Sequence, residues 1–339
     1  VNSPRPRLDP AVAATRRAVR GLLAEARAGR FVADGDLVLV ALSGGADSLA
    51  LAAATAFEAP KQALRAGAVV VDHALQAVSE AVASRASRQA SELGLDPVVV
   101  RSVQVGTAGG PEAAAREARH ASIARVASDL GSPLVLFGHT LDDQAETVLL
   151  GLLRGSGPDS LSGMQPLAGR DGGPAYGRPL LGVRRHTTRQ ACSAAGLAPW
   201  HDPQNQDVAF TRVRVRNAVM PVLERELGAD VAESLARTAD QLREDSAALD
   251  HFAEEMAEDL AEHSEAGIAL SVRQLAANPP ALRQRLVRLA VESEFGVTLS
   301  RLQTLEVCRL VTDWSGQGPI DLPGVRATRD GDRLSFAAQ

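Results

Sequence analysis

Cysteine is nearly absent from these 339 residues, with only Cys192 and Cys308 present, and no C-x-x-C spacing occurs. A disulfide framework is excluded, and so are the paired-thiol arrangements used for zinc, iron–sulfur and dithiol chemistry. Long apolar runs are missing too. The strongest, near Leu49 to Phe57, falls far short of the ~20 residues a membrane helix needs, so no membrane span is expected. The first ten residues are rich in Pro and Arg and lack the continuous apolar core of a signal peptide, which fits a reducing, cytoplasmic setting. Lysine is scarce as well: Lys61 is the single one among 36 basic residues, a trace of GC-rich coding rather than of mechanism. Nor is there an excess of positive charge, because 41 acids against 36 bases leave −5, which excludes a uniformly basic nucleic-acid coat.

What is present reads as about two domains. Residues 11–27 show helical periodicity, and Leu37-Val-Leu-Val-Ala-Leu42 is then a short continuous apolar run of the kind buried on both faces of a sheet. Similar runs follow at 68–72, 97–101 and 133–137, separated by helical stretches at 47–57, 79–93 and 111–130. Strands alternating with helices predict an α/β fold with a doubly wound parallel sheet. Ligands in such sheets bind beyond the carboxyl ends of the strands. Polar residues gather at those ends: Ser43-Gly-Gly-Ala-Asp-Ser48, Asp72-His73 and Gly138-His-Thr140. Residues 155–179 are rich in Gly, Pro and Ser and read as a long loop. Helical patterns return at 184–195, 209–223 and 226–263, then at 282–291 and 299–311, and a hairpin turning at Asp330-Gly331 is expected near the end. The expected division is a first domain at 1–222 and, at 223–339, a long linker helix leading into a smaller, mostly α-helical domain.

Three constellations carry chemistry. Glycines at a strand-to-helix turn free main-chain N–H groups for an anion, and the helix behind adds its positive end, so Ser43, Gly44, Gly45, Ala46, Asp47 and Ser48 form a phosphate cradle. The two hydroxyls add donors, and Asp47 caps the helix or holds Mg²⁺ against phosphate oxygens. The G-x-x-x-x-G-K-[ST] spacing is absent, which disfavours kinases and motors of that class. In the second constellation, Asp142 reads as a helix N-cap, and Asp143, Glu146 and Thr147 share the face behind it. These carboxylates could bind Mg²⁺, or hold an incoming ammonium and take its proton. The third is Trp200-His-Asp-Pro-Gln-Asn205 with Thr211-Arg-Val-Arg-Val-Arg-Asn217, where Arg212, Arg214, Arg216 and Asn217 offer donors for phosphates or base edges.

The six-residue turn resembles the PP-loop, S-G-G-x-D-S, of ATP pyrophosphatases with the adenine nucleotide alpha hydrolase-like fold. Together with Val71-Asp-His-Ala74, Ala115-Arg-Glu-Ala-Arg119, Gly138 to Thr147, Leu153-Arg-Gly-Ser-Gly157, Leu161-Ser-Gly-Met164 and Arg178-Pro-Leu-Leu181, it resembles the tRNA(Ile)-lysidine synthetase family over about residues 37–221. The resemblance implies a C–N ligase that uses ATP and Mg²⁺. The family adenylates the carbon-2 carbonyl oxygen of the wobble cytidine in the CAU anticodon of isoleucine tRNA, releasing pyrophosphate. L-lysine then attacks that carbon and expels AMP. Carried onto this sequence, Asp47, Asp143, Glu146, His139 and Arg116 are catalytic, and the 43–48 turn with Asp72 and His73 binds nucleotide. Asp142, Asp143, Glu146, Arg119, Arg154, Arg178, Arg212, Arg214 and Asn217 meet lysine or tRNA, and Asp47 with Asp143 holds the metal. Gln76, His120 and Gly151 depart from the family's usual residues, which touches secondary RNA contacts and not the chemistry.

Other readings are a PP-loop tRNA thiolase, for which the cysteine pair is lacking, an amidating synthetase, and a tRNA-binding protein with a vestigial nucleotide pocket. Oligomeric state is left open, a homodimer included. The charge of −5 also divides unevenly. Residues 170–225 carry nine arginines against four acids, while residues 226–265 carry thirteen acids against two arginines. RNA contacts are therefore expected on the first segment, with the acidic helix turned from phosphates.

Overall fold

The computed structural model describes residues 8–72, 79–103, 111–155, 157–169, 172–264 and 267–339. The chain divides into two compact units, Val1–Asp240 and Gln241–Gln339, a division that falls inside a long helix.

In the first unit, α1 (Pro10–Ala28) opens on Asp9, whose carboxylate accepts from the Ala11 amide at 2.8 Å. The elements that follow are β1 (Leu37–Leu42), α2 (Ala46–Glu58), β2 (Arg65–Asp72), α3 (Ser79–Glu92), β3 (Val98–Ser102), α4 (Pro111–Asp129), β4 (Leu134–Phe137) and α5 (Leu141–Leu153). Next come the single turn α6 (Pro158–Leu161), two short strands β5 (Leu167–Ala168) and β6 (Ala175–Gly177), and α7 (Arg185–Ala194). A further helical run comprises α8 (Thr211–Arg214), a π-helical turn at Val215–Val219 and α9 (Met220–Leu227), before the 30-residue α10 (Val231–Leu260).

The sheet runs β3-β2-β1-β4-β6-β5, parallel except for β5. Both its faces are covered, which is why its strands read as unbroken apolar runs. Val38, Val40 and Leu42 point into one core, shared with α1, α2, α3 and Cys192 of α7. Leu37 and Leu39 point into the other, shared with Ile123, Val126 and Ala127 of α4. The four expected strands and the intervening helices are therefore present. The stretch 155–179 is not one loop: it adds β6 beside β4, and β6 spans three residues, too few to show a period.

Strand order places the switch point between β1 and β4. The chain leaves β1 toward β2 on one side, and β4 lies on the other. The turn after β1 and the turn after β4 thus open onto one crevice. Their separation is set by Gly138, where a Cβ would lie 3.1 Å from the main-chain carbon of Asp47 and from the amide nitrogen of Ser48.

In the second unit, the helices α11 (Val272–Ala277), α12 (Pro280–Phe295) and α13 (Arg301–Thr312) accompany a five-stranded antiparallel sheet. Its order is β7 (Ala261–Ser264), β8 (Gly267–Ser271), β11 (Arg333–Ala338), β10 (Val325–Asp330) and β9 (Ile320–Leu322). The expected helices and the β10–β11 hairpin are there, and the helical domain also carries a small antiparallel sheet. Leu270, Leu286, Val291, Val307, Val325 and Phe336 join sheet and helices in one core. Among the described residues no helix is long and apolar enough to cross a membrane.

Replacing Gly138 with alanine drives a methyl group against the α2 backbone. Gly138→Ala should lower stability in urea unfolding by about 1–3 kcal/mol and weaken ATP binding in the same preparation. Unchanged values for both would show that the two turns are not held apart by this contact.

Candidate active site

The turn after β1 closes on itself through hydroxyls. The Ser48 Oγ donates to the Gly45 carbonyl at 3.0 Å and accepts from the Ser43 amide at 3.2 Å, and the two serine oxygens lie 3.1 Å apart. Gly44 has φ +82°, a left-handed conformation that strains any residue with a Cβ. Its carbonyl accepts from the Trp200 amide at 2.9 Å, which fastens the segment after α7 to the turn. Gly45 caps α2 and Ala46 begins it. This leaves an exposed Ser43 beside a helix N-terminus, as the sequence predicts for a phosphate cradle. Asp47, in the first turn of α2, accepts a hydrogen bond from Thr188 Oγ1 of α7. Burial pushes its carboxyl above the usual range, against the pull of Thr188 and Arg185.

The turn after β4 is built around Asp143. The N-cap of α5 is Thr140, not Asp142: a capping box joins the Thr140 side chain to the Asp143 amide, and the Asp143 carboxylate accepts from the Thr140 amide at 2.8 Å. Asp142 instead accepts from the Arg185 amide at 2.7 Å, which ties α5 to the start of α7. Thr140 Oγ1 also donates to Asp143, and the other Asp143 oxygen receives Arg185 at 2.7 Å and Arg216 at 3.2 Å. Burial pushes the Asp143 carboxyl up, but Arg185 and the Thr140 bonds outweigh it and hold the group below the usual range.

One turn on, the Glu146 side chain is 2% exposed and is gripped from two elements. Arg185 reaches it at 3.2 Å, and Arg216 reaches it at 2.7 and 2.9 Å from the π-helical turn. Arg212 stands 3.8 Å away and donates to Thr147 at 2.8 Å. Arg185 also lies 3.8 Å from Asp47. Its guanidinium therefore spans both turns and touches Asp47, Asp143 and Glu146 together. Burial disfavours its charge, yet these three acids overcome that and hold it more firmly protonated than usual.

His139, in the turn after β4, has its Nδ1 buried and without a hydrogen-bond partner among the described residues. Burial and the neighbouring Arg178, Arg116 and Arg212 push its pKa down to about 4, against the pull of Asp143. The ring is neutral at pH 7. Asp72 ends β2, one strand over from β1, on the same edge of the sheet. His73 lies outside the described residues.

Arg116 and Arg119 are exposed on α4, and the charge of Arg116 is felt at both His139 and Arg178. Arg178 donates to the Gln165 carbonyl at 2.8 Å. Arg154 caps the C-terminus of α5 and is exposed, as is Asn217 in the π-helical turn. Arg214 turns back onto its own loop, donating to the Val208 and Ala209 carbonyls at 2.6 and 2.8 Å. His120 stacks on Phe137 at 5.2 Å.

Arg185 is the residue that sequence reasoning missed, with Thr140 and Thr188. A signal was available: Arg184 is the N-cap of α7, Arg185 is its first residue, and there is no acid in its first turn. The helix dipole disfavours cations there, so nearby acids must compensate.

The donor set for Mg²⁺ is narrow. Asp143 accepts from Thr140 twice, from Arg185 and from Arg216, so it does not fit as a metal ligand in this conformation. Asp47 keeps one oxygen that no hydrogen bond occupies, and it fits as a single protein ligand to a phosphate-borne ion. Among the described residues no three His, Cys, Asp or Glu side chains converge as a metal site.

Residues 16–223 match the PP-loop domain family, and residues 270–335 match the TilS substrate binding domain. A tRNA(Ile)-lysidine synthase of Leifsonia xyli subsp. xyli is 60% identical over 306 residues, which cover 90% of this chain and 91% of that one. The tRNA(Ile)-lysidine synthase of Streptomyces coelicolor is 51% identical, covering 88% and 84%. Among solved structures, the U34-tRNA thiolase NcsA from Methanococcus maripaludis aligns with a TM-score of 0.57 at 20% identity, over 69% of this chain and 80% of that one. This last is a likeness of fold.

Two outcomes follow from the site's electrostatics. Arg185→Ala strips a buried acid cluster of its central cation and should cost about 3–5 kcal/mol in urea unfolding, while Arg185→Lys, which keeps charge without the fork, should cost less. His139 is less basic folded than unfolded, so protons bind the unfolded chain more tightly between the two pKa values. Stability should fall as pH drops from 6.5 toward 4 and then lose this slope. His139→Gln should remove that contribution, as read from urea midpoints at pH 4.5 and 7.

Proposed function

The chain belongs to the tRNA(Ile)-lysidine synthase family, and from that premise we propose how its crevice carries out the two halves of the reaction. The protein is a C–N ligase that joins lysine to the wobble cytidine of an isoleucine tRNA. The observation that carries the reading is the Arg185 bridge, which puts the phosphate cradle and the acidic face of α5 in a single site.

In the first half, the carbon-2 oxygen of the cytidine in a CAU anticodon bonds to the α-phosphorus of ATP, and the bond to the β,γ-diphosphate breaks. The main-chain N–H groups of residues 43–48, the Ser43 hydroxyl and the N-terminus of α2 meet the charge that grows on the leaving pyrophosphate. A magnesium ion bound with ATP would neutralise phosphate charge, with Asp47 its ligand from this chain. Asp72, at the end of β2, belongs to the nucleotide side of the crevice. The neutral ring of His139 offers a hydrogen bond there without adding charge.

In the second half, the amine of L-lysine attacks carbon 2, the bond to the adenylate oxygen breaks, AMP departs and one proton is released. Asp143 and Glu146 hold the lysine ammonium and take that proton. Both are occupied by guanidinium groups in this structure, so the ammonium enters by exchange, cation for cation. Arg116, Arg119, Arg154 and Asn217 stand exposed for RNA, whereas Arg214 braces its own loop. The setting in which these substrates meet is the cytoplasm.

The test is one incubation with ATP, Mg²⁺, radiolabelled lysine and unmodified CAU isoleucine tRNA. Lysine-dependent label should enter the tRNA and fall by at least about 100-fold in Asp143→Asn and Glu146→Gln. ATP cleavage without label transfer to tRNA would overturn the reading.

A further inference from the structure

We propose that the groove between the edge strand β3 and α4 is an additional anchoring site for the sugar–phosphate backbone of the substrate tRNA, with Arg101 and Arg125 as its phosphate ligands. The proposal rests on tRNA being the substrate.

The groove encloses about 570 Å³ and takes Arg101 and Ser102 from β3, and Ala118, Ala121, Ser122 and Arg125 from α4. Strand alternation explains why Arg101 faces it. Val99 packs into the core that contains Ile123 and Val126 of α4, and Arg101, two residues on, lies on the same face. Alanines on α4 keep the floor low, so a bulky backbone can approach between two guanidinium groups. Ser102 and Ser122 add hydroxyl donors. Among the described residues β3 is the outermost strand of its sheet, so its outer main-chain groups pair with no other described strand.

The two arginines differ from those in the catalytic crevice. Arg184, Arg185, Arg212 and Arg216 each meet an acid. Arg101 and Arg125 are exposed and make no ion pair or hydrogen bond among the described residues. One acid, Asp129, lines the groove. Two guanidinium groups against one carboxylate, beside hydroxyl and amide donors, form a receptor for oxyanions that can accept several hydrogen bonds.

The position selects RNA. Arg116 and Arg125 lie on the same helix, about 13 Å apart along its axis. α4 thus connects the groove to Arg116, whose charge reaches His139 and Arg178. Across the sheet, β3 lies two strands from β1, roughly 10 Å. A tRNA with its wobble base at the crevice therefore has backbone within reach of this face.

The experiment is filter binding of CAU isoleucine tRNA over a series of salt concentrations. Each phosphate contact contributes roughly 0.9 to the slope of log K against log salt. Arg101→Gln and Arg125→Gln should each lower the slope by about that amount, and the double variant by about 1.8. Arg101→Lys/Arg125→Lys should keep the slope, as should Arg17→Gln on an exposed part of α1. Thermal unfolding reports whether the variants are folded, and the single variants carry the test if the double is not. An unchanged slope in the Gln variants, or weaker binding at every salt with the slope unchanged, would overturn the groove. Lysine transfer by the unsubstituted protein is measured separately. Transfer with an unchanged slope in the variants rejects the groove alone, and absence of transfer rejects the functional reading.

Discussion

The side chain of Glu146 is 2% exposed, and a carboxylate taken that far from water needs a cation that can hydrogen-bond its oxygens. Arg185 and Arg216 meet this need from opposite sides, and Arg185 also answers Asp143 and Asp47. Much of the surrounding architecture is fixed by that requirement. α7 must begin where its first arginine can reach α5, and the Asp142 carboxylate takes the Arg185 amide to hold it there. Thr188, one turn further, then falls on Asp47. A helix of ten residues thus locks the nucleotide turn to the acidic helix.

The sheet makes this economical. Two turns that follow β1 and β4 are far apart in sequence but adjacent in space, because the strand order reverses between them. Gly138 lets the second turn pass close against the main chain of the first. The distance between cradle and carboxylates is therefore set by backbone packing and needs no flexible side chain to span it. Chemistry that forms an adenylate in one place and consumes it in the same place benefits from such rigidity, since positioning costs no ordering entropy at each turnover.

Legibility in the sequence followed the strictness of the physical demand. Strands covered on both faces must be apolar throughout, so β1 to β4 could be read directly. The 43–48 turn could be read because few residue types permit a left-handed Gly44 followed by a helix start. β6 escaped because three residues in a Gly- and Pro-rich stretch carry no period, and the sheet of the second unit escaped beyond its hairpin for a similar reason. Asp142 was misplaced as a cap because Thr140 and Asp142 are both cap formers, and only the Asp143 bond back to Thr140 decides between them. Arg185 was hidden by its neighbourhood, since an arginine in an arginine-rich segment looks like one more surface charge.

That last point changes what the charge distribution means. Residues 170–225 carry a surplus of +5, but Arg184, Arg185, Arg212 and Arg216 meet carboxylates of α5, α9 and α10, and Arg178 and Arg214 meet main-chain carbonyls. Much of the surplus neutralises the crevice instead of facing RNA. The same neutralisation bears on catalysis. Asp143 is held below the usual carboxylate range while guanidinium groups sit on it, and in that state it is a poor proton acceptor. In the proposed exchange an ammonium replaces a guanidinium at equal charge, and unlike the guanidinium it can surrender a proton.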